Sequence, residues 1–165
     1  ILINNAGVQY AYDLSDPSVP LDRIDQELQT NLVGPIYLTR RMLPQLRAKP
    51  RAAIVNVSSS LAFVPKQSAP VYSASKAGLH TFTKALRWQL EATGVKVFEI
   101  IPPLVDTAMT AGRGSGKITP EALVREFWAA FAADVYEIRV GRAKILLRLH
   151  GLLPGLVERR MRVAQ

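Results

Sequence analysis

Ala52-Ala53-Ile54-Val55-Asn56-Val57 runs straight into Ser58-Ser59-Ser60 and then, past Pro65 and Pro70, into Tyr72-Ser73-Ala74-Ser75-Lys76. The first six residues are short, apolar and rich in β-branched side chains, which predicts a parallel strand covered on both faces. Residues 71–93 carry Leu79, Phe82, Leu86 and Leu90 at spacings of three and four, which predicts a helix closed by Gly94. A strand leading through a short polar turn into a helix is the opening half of a βαβ unit.

The pattern repeats on both sides. Downstream, Val95–Ile101 (VKVFEII) reads as a second buried strand, stopped by Pro102-Pro103. Thr119-Pro120-Glu121 supplies an N-cap, a proline at the first helical position and a first-turn acid, and predicts a helix to about residue 133. Residues 135–140 (VYEIRV) alternate like a strand, and one or two short helices follow, broken at Gly151 and Pro154-Gly155. Upstream, residues 1–3 read as the end of a buried strand entering the turn Asn4-Asn5-Ala6-Gly7. After a loop come Ile24, Leu28 and Leu32 on one face of a helix over 21–31, which Gly34-Pro35 interrupts. The pattern resumes through Ile36, Leu38, Met42, Leu43 and Leu46, with Pro44 expected to bend it. Strands alternating with helices predict a single α/β domain over 1–165, a parallel sheet with helices on both faces.

Composition closes off other classes. The chain has 165 residues, 48% hydrophobic and 21% charged, which argues against disorder and low complexity. It has no cysteine, which excludes disulfides and thiolate metal sites, and its two histidines cannot form a metal cluster alone. The net charge is +8, concentrated in residues 139–165, where seven cations face Glu158 alone for a net +6. The excess thus lies in a basic helical tail over 141–165 and not on a nucleic-acid face, and no membrane-surface contact is expected of it. The chain opens on Ile1 with no basic segment ahead of an apolar run, so no secretory signal and a cytoplasmic location are expected.

In open parallel sheets, ligands bind at the carboxyl ends of the strands. The predicted strands end in Asn4-Asn5-Ala6-Gly7, Ser58-Ser59-Ser60 and Pro102 to Thr107, so small polar groups gather on that edge. Tyr72 and Lys76, four apart, share a helix face. A phenol ionises near pH ~10 and needs a nearby ammonium to bring it toward neutral range. With five tyrosines and seven lysines in the chain, such a pair arises by chance about one time in five, so alone it decides nothing.

Taken together, Asn4-Asn5-Ala6-Gly7, Asn31, Val55-Asn56-Val57-Ser58-Ser59, Tyr72-Ser73-Ala74-Ser75-Lys76 and the Pro102 to Thr107 turn resemble the short-chain dehydrogenase/reductase family, in order and spacing, over about residues 1–110. The Pro-Pro-Leu-Val-Asp-Thr turn resembles the DltE-type branch; Pro103 stands where the family usually has glycine. The resemblance implies a Rossmann-like doubly wound sheet binding NAD or NADP, and hydride transfer to or from a small carbonyl or secondary alcohol. Tyr72 would be the acid–base, Lys76 would lower its pKa and hold the nicotinamide ribose, and Ser59 would hold the substrate oxygen. Asn31 would open its helix locally and anchor a water. Asn4, Ala6 and Gly7 would support the cofactor's adenosine side and the sheet. Pro102 would lie in the cofactor site, and Thr107 would contact the carboxamide or the diphosphate. The family also implies a homo-oligomer paired through helices 21–47 and 71–93, and a glycine-rich dinucleotide-binding half ahead of residue 1, of which nothing is seen here. The sequence therefore predicts an N-terminally truncated family member, inactive alone, with an inactive binding scaffold as the alternative. The glycine-rich stretch within 104–120 is expected to be a substrate lid, where Arg113 and Lys117 could meet an acidic group. His80 is expected at the surface or an interface, and Trp88 and Trp128 in packing.

Overall fold

The structure, a computed structural model, describes residues 1–112 and 114–163. Four strands, β1 (Leu2–Asn4), β2 (Ala52–Val57), β3 (Val95–Ile101) and β4 (Glu137–Arg139), lie in chain order in one sheet, each pair parallel. Between them run α1 (Leu21–Leu28), a π turn (Gln29–Val33), α2 (Gly34–Arg47), α3 (Pro70–Gln89) and α4 (Pro120–Ala132). Helices α5 (Arg142–Leu152) and α6 (Pro154–Val163) follow β4.

Alternate side chains of β2 and β3 face opposite layers, as the pleat requires. Ala52, Ile54, Val95 and Val97 meet Leu46 of α2 and Leu86 of α3 on one face. Ala53, Val55, Phe98 and Ile100 meet Phe127 of α4 on the other. Burying β2 on both sides is what its unbroken apolar run predicts. The first two crossovers thus pass over one face and the β3-to-β4 crossover over the opposite one, while the strand order continues in one direction. The last crossover therefore has the opposite hand to the other two. Such units are right-handed in about 98% of cases, so this sheet departs from the rule at least once.

A ladder of buried side chains ties β1, β2 and α3 together. Asn4 Nδ2 donates to Asn56 Oδ1 at 2.7 Å, Asn56 Nδ2 to Thr83 Oγ1 at 2.8 Å, and Thr83 Oγ1 to the Leu79 carbonyl at 2.6 Å. Asn4 and Asn56 are direct partners in the strand register.

Several sequence expectations need correction. Gly34-Pro35 does not break the helix: the π turn absorbs the proline, with the Gly34 N–H bonding the Gln29 carbonyl five residues back. A Cβ at residue 34 would lie 3.0 Å from that carbonyl, which is why glycine stands there. Helix α3 ends at Gln89, and Gly94 is not its cap. Gly94 sits where the chain passes closely; a Cβ there would come 3.3 Å from the Pro50 carbonyl. Gly151 lies inside α5, and the break comes at Leu153. Among the described strands β1 lies at one edge of the sheet, with Ile3 52% exposed. The basic tail is more than a solvated helix. Ala143, Leu147 and Val157 close a third apolar cluster over Val64 and Ile101, and Lys144 pairs with Glu126 of α4 at 2.6 Å.

Candidate active site

The carboxyl ends of β1 and β2 and the start of α3 bring the expected residues to one place. Lys76 is buried on α3, and its Nζ donates to the Val57 carbonyl at the end of β2 (2.9 Å) and lies 5.7 Å from the centre of the Tyr72 ring. Ser59 caps the 3₁₀ turn Ser60–Ala62, its Oγ accepting from the Leu61 N–H at 3.1 Å. Ser59 lies close enough to Tyr72 for its hydroxyl to favour the ionised phenol. Gly7 packs against the same cluster: a Cβ there would lie 3.3 Å from Asn31 Oδ1 and 3.5 Å from Lys76 Nζ.

Asn31, fully buried, sits in the π turn. Its side chain clasps the segment after β1, accepting from the Val8 N–H at 2.9 Å and donating to the Val8 carbonyl at 2.8 Å and to Ser75 Oγ at 3.1 Å. The residue four on is Pro35, which has no N–H, so no α-helical bond can close on the Asn31 carbonyl. The expected local opening of this helix is thus present.

Burial pushes the Tyr72 phenol above its ordinary value of 10.0, the Ser59 hydroxyl pulls it down, and the Glu27 carboxylate pushes it up. Burial pushes Lys76 down to about 8.

The remaining expected residues divide. Asn4 supports the sheet, its side chain buried against Asn56 and Thr39. Ala6 and Thr107 are exposed, and the Pro102 carbonyl accepts the Ser60 N–H at 3.3 Å, joining the ends of β2 and β3. Thr107 and Thr110 cap one another in the turn Ala108–Thr110. Lys117 is turned into its own loop, on the Thr110 carbonyl (2.7 Å) and Asp106 (3.3 Å), and does not reach outward for an acid. Arg113 lies outside the described residues. Gly112, Gly114 and Gly116 all have positive φ, the backbone that makes glycine necessary in this stretch. His80 is no free surface residue: its Nδ1 holds buried Glu99 at 2.8 Å. Trp88 is 64% exposed and does not pack into the core.

Sequence reasoning missed Glu27, which is fully buried one helical turn before Asn31. Its Oε1 accepts the Tyr10 N–H at 3.2 Å, so Glu27 and Asn31 together hold the 8–10 backbone. Glu27 Oε2 and the Tyr12 hydroxyl are shut off from solvent without a well-formed hydrogen bond. Burial raises the Glu27 carboxyl above its usual range, and burial and Glu27 push the Tyr12 phenol up to about 12. The signal was the spacing of four that puts Glu27 on the Asn31 face.

Residues 1–117 match the short chain dehydrogenase family, and the chain belongs to it. It is 43% identical over 109 residues to the uncharacterized oxidoreductase DltE of Bacillus subtilis, covering 66% of this chain and 43% of that protein. The chain thus spans less than half the length of that relative. A short chain dehydrogenase from Burkholderia cenocepacia, solved in complex with NADP, superposes with a TM-score of 0.89 at 27% identity, over 97% of this chain and 69% of that one. One from Burkholderia phymatum, solved with NAD, gives 0.80 at 20% identity, over 99% and 68%, a likeness of fold.

Proposed function

We propose that the whole protein is an NAD- or NADP-dependent oxidoreductase that interconverts a small carbonyl compound and its secondary alcohol. The observation that carries this reading is buried Lys76, which lies 5.7 Å from the Tyr72 ring centre on one side and, with Asn31, closes on Gly7 on the other. Gly7 leaves the space a Cβ would fill beside Lys76 and Asn31, and Lys76 spends one hydrogen bond on Val57 while its other N–H donors remain to serve a ribose. These residues fit a nicotinamide dinucleotide, with Tyr72 and Lys76 at the ribose and Gly7, Pro102 and Thr107 around it. When bound, that cofactor supplies or accepts the hydride.

Tyr72 works as the general acid–base. Burial keeps the phenol protonated, the form that can donate to a carbonyl oxygen. Ser59 holds that oxygen beside Tyr72, and the clasp of Asn31 and Glu27 on residues 8–10 fixes the wall opposite. NADP and NAD in the two structural relatives support the cofactor class. Exposed Tyr37 and Leu38 on α2 and Trp88 on α3 support pairing of these helices in a homo-oligomer.

The test uses the full-length protein, assayed with NADH and NADPH against a panel of aldehydes and ketones. Tyr72→Phe is expected to lower turnover at least ~100-fold with cofactor affinity little changed. Lys76→Ala is expected to lose both. Near-normal turnover in Tyr72→Phe overturns the assignment.

A further inference from the structure

The pair of helices α5 and α6 carries an apolar face that takes no part in the core. Ile145, Leu149 and Leu152 of α5, Leu153 where it ends, and Leu156 in the first turn of α6 are each 46–78% exposed. At about 100° per residue, Ile145, Leu149 and Leu152 fall within ~60° of arc on α5, opposite its buried Ala143 and Leu147. Helix α5 is therefore apolar on two sides. One closes the cluster over Val64 and Ile101, and the other stands in solvent. Grouped exposed apolar side chains mark a contact with a protein or a membrane. Neither helix is among those, α2 and α3, on which the homo-oligomer reading stands. The face also lies away from β1, since α5 follows β4 at the opposite edge of the sheet.

The neighbouring charges select the partner. Arg148 borders the stripe on α5, and Arg160 shares a face of α6 with Leu156, four residues before it. Arg159 and Arg162 are exposed on the same helix. Among the described residues, none of these four is in an ion pair. Glu158, the one acid beyond residue 139, is engaged by His150 at 3.2 Å. A second copy seated on this face would bring like charges together, which disfavours it. Protein interfaces draw their energy from Trp, Tyr and Arg set in pockets, whereas this stripe is aliphatic and stands on the outer side of a helix. An anionic bilayer supplies both complements, acyl chains for the leucines and phosphates for the arginines, whose long stems reach back to the headgroups. No described helix is long and apolar enough to cross a membrane, so the contact is with the surface.

We infer that α5 and α6 dock the protein on an anionic lipid bilayer, with Leu149, Leu152 and Leu156 at the acyl boundary and Arg148 and Arg160 at the phosphates. Charge alone gave no reason to expect such a contact of this tail; the leucines exposed beside the cations supply one. The inference does not rest on the hydride-transfer reading, and it is tested without any turnover assay.

The experiment is cosedimentation of the full-length protein with phosphatidylcholine vesicles, with and without phosphatidylglycerol. Binding to the phosphatidylglycerol vesicles is expected to be at least tenfold tighter than to the neutral ones. The double variant Leu152→Asp/Leu156→Asp should weaken it tenfold or more, and Arg148→Glu/Arg160→Glu should do the same, with thermal melts to show that each variant folds. High salt should weaken wild-type binding by a similar factor, a measurement that stands even if a variant fails to fold. No binding to the anionic vesicles, equal binding to the neutral ones, or undiminished binding by the folded leucine variant overturns the proposal. So does sedimentation velocity in which the leucine variant is a smaller oligomer than the wild type and neither binds vesicles, which would make this face a contact between copies of the protein.

Discussion

Glu99 and Glu27 are both shut away from water, 1% and 0% exposed, but by opposite means. Glu99, in the middle of β3, is met by the His80 imidazole from α3, and the Phe63 ring backs that imidazole with centroids 4.5 Å apart. Glu27, on α1, has no cation beside it among its hydrogen-bond partners; it takes one backbone N–H and faces a tyrosine hydroxyl. Burying a carboxylate is costly unless it is paired or neutralised. The Glu99 side uses a partner and makes a joint between strand and helix. Burial on the Glu27 side favours the proton-bearing form, and when ionised this carboxyl raises the Tyr72 phenol. One carboxyl is a fastening; the other belongs to the surroundings of the candidate site.

The sharpest way to break this contrast is His80→Ala. It leaves Glu99 without its partner, and an expected loss of about 3 kcal/mol follows from stranding a buried charge. Urea denaturation reads it directly; a loss under about 1 kcal/mol would mean that Glu99 does not depend on His80.

Next in size is the pH dependence of stability. The Glu99 hydrogen bond raises the His80 imidazole above 6.5, so the folded state holds a proton that the unfolded state releases. That stabilisation is full below pH 6.5 and is lost as pH rises through the raised value. Burial raises Glu27 above 4.5, and the same linkage makes stability fall as pH rises from 4.5 toward its raised value. Thermal melts should therefore show stability declining toward alkaline pH. The part that begins at pH 4.5 should vanish in Glu27→Gln and the part that begins at pH 6.5 in His80→Ala.

Glu27→Gln by itself should change stability at pH 4 by less than about 1 kcal/mol, since an amide replaces a neutral acid of the same shape. A larger loss would show that Glu27 is charged in the folded state. The smallest expected effect on stability is that of Gly7→Ala. Its Cβ would press on Asn31 Oδ1 at 3.3 Å and Lys76 Nζ at 3.5 Å, costing about 1 kcal/mol or less. In the whole protein it should weaken cofactor binding, by fluorescence titration, more than it lowers the melting temperature.

The Ser59, Tyr72, Lys76 and Asn31 cluster was legible because its geometry is local. Two residues four apart on a helix must share a face, and a serine at a strand end must lie at the carboxyl edge. Glu27 obeyed the same spacing, yet a lone glutamate on an amphipathic helix reads as solvent-facing until the loop that covers it is placed. Gly34-Pro35 was read as a break because proline removes an N–H; the π turn that needs no such N–H cannot be seen in composition. His80 and Glu99 meet across the layer between α3 and β3, which neither run of sequence specifies alone. The fold class was legible from the alternation of periods. The reversed hand of the last crossover was not, because alternation does not say which face a helix crosses.

The π turn has a consequence for length. One residue more than an α-helical turn advances the phase of everything beyond it by about 100°. Ahead of the turn, Glu27 reaches toward residues 8–10, and within it so does Asn31; beyond it, Met42, Leu43 and Leu46 face the sheet. Removing any single residue from Gln29–Val33 would take away the extra residue of the turn, and one of these two sets would swing out of alignment. The helix could then serve the pocket or the core, and not both. What this turn guards is a count of residues, which no choice of side chain can restore.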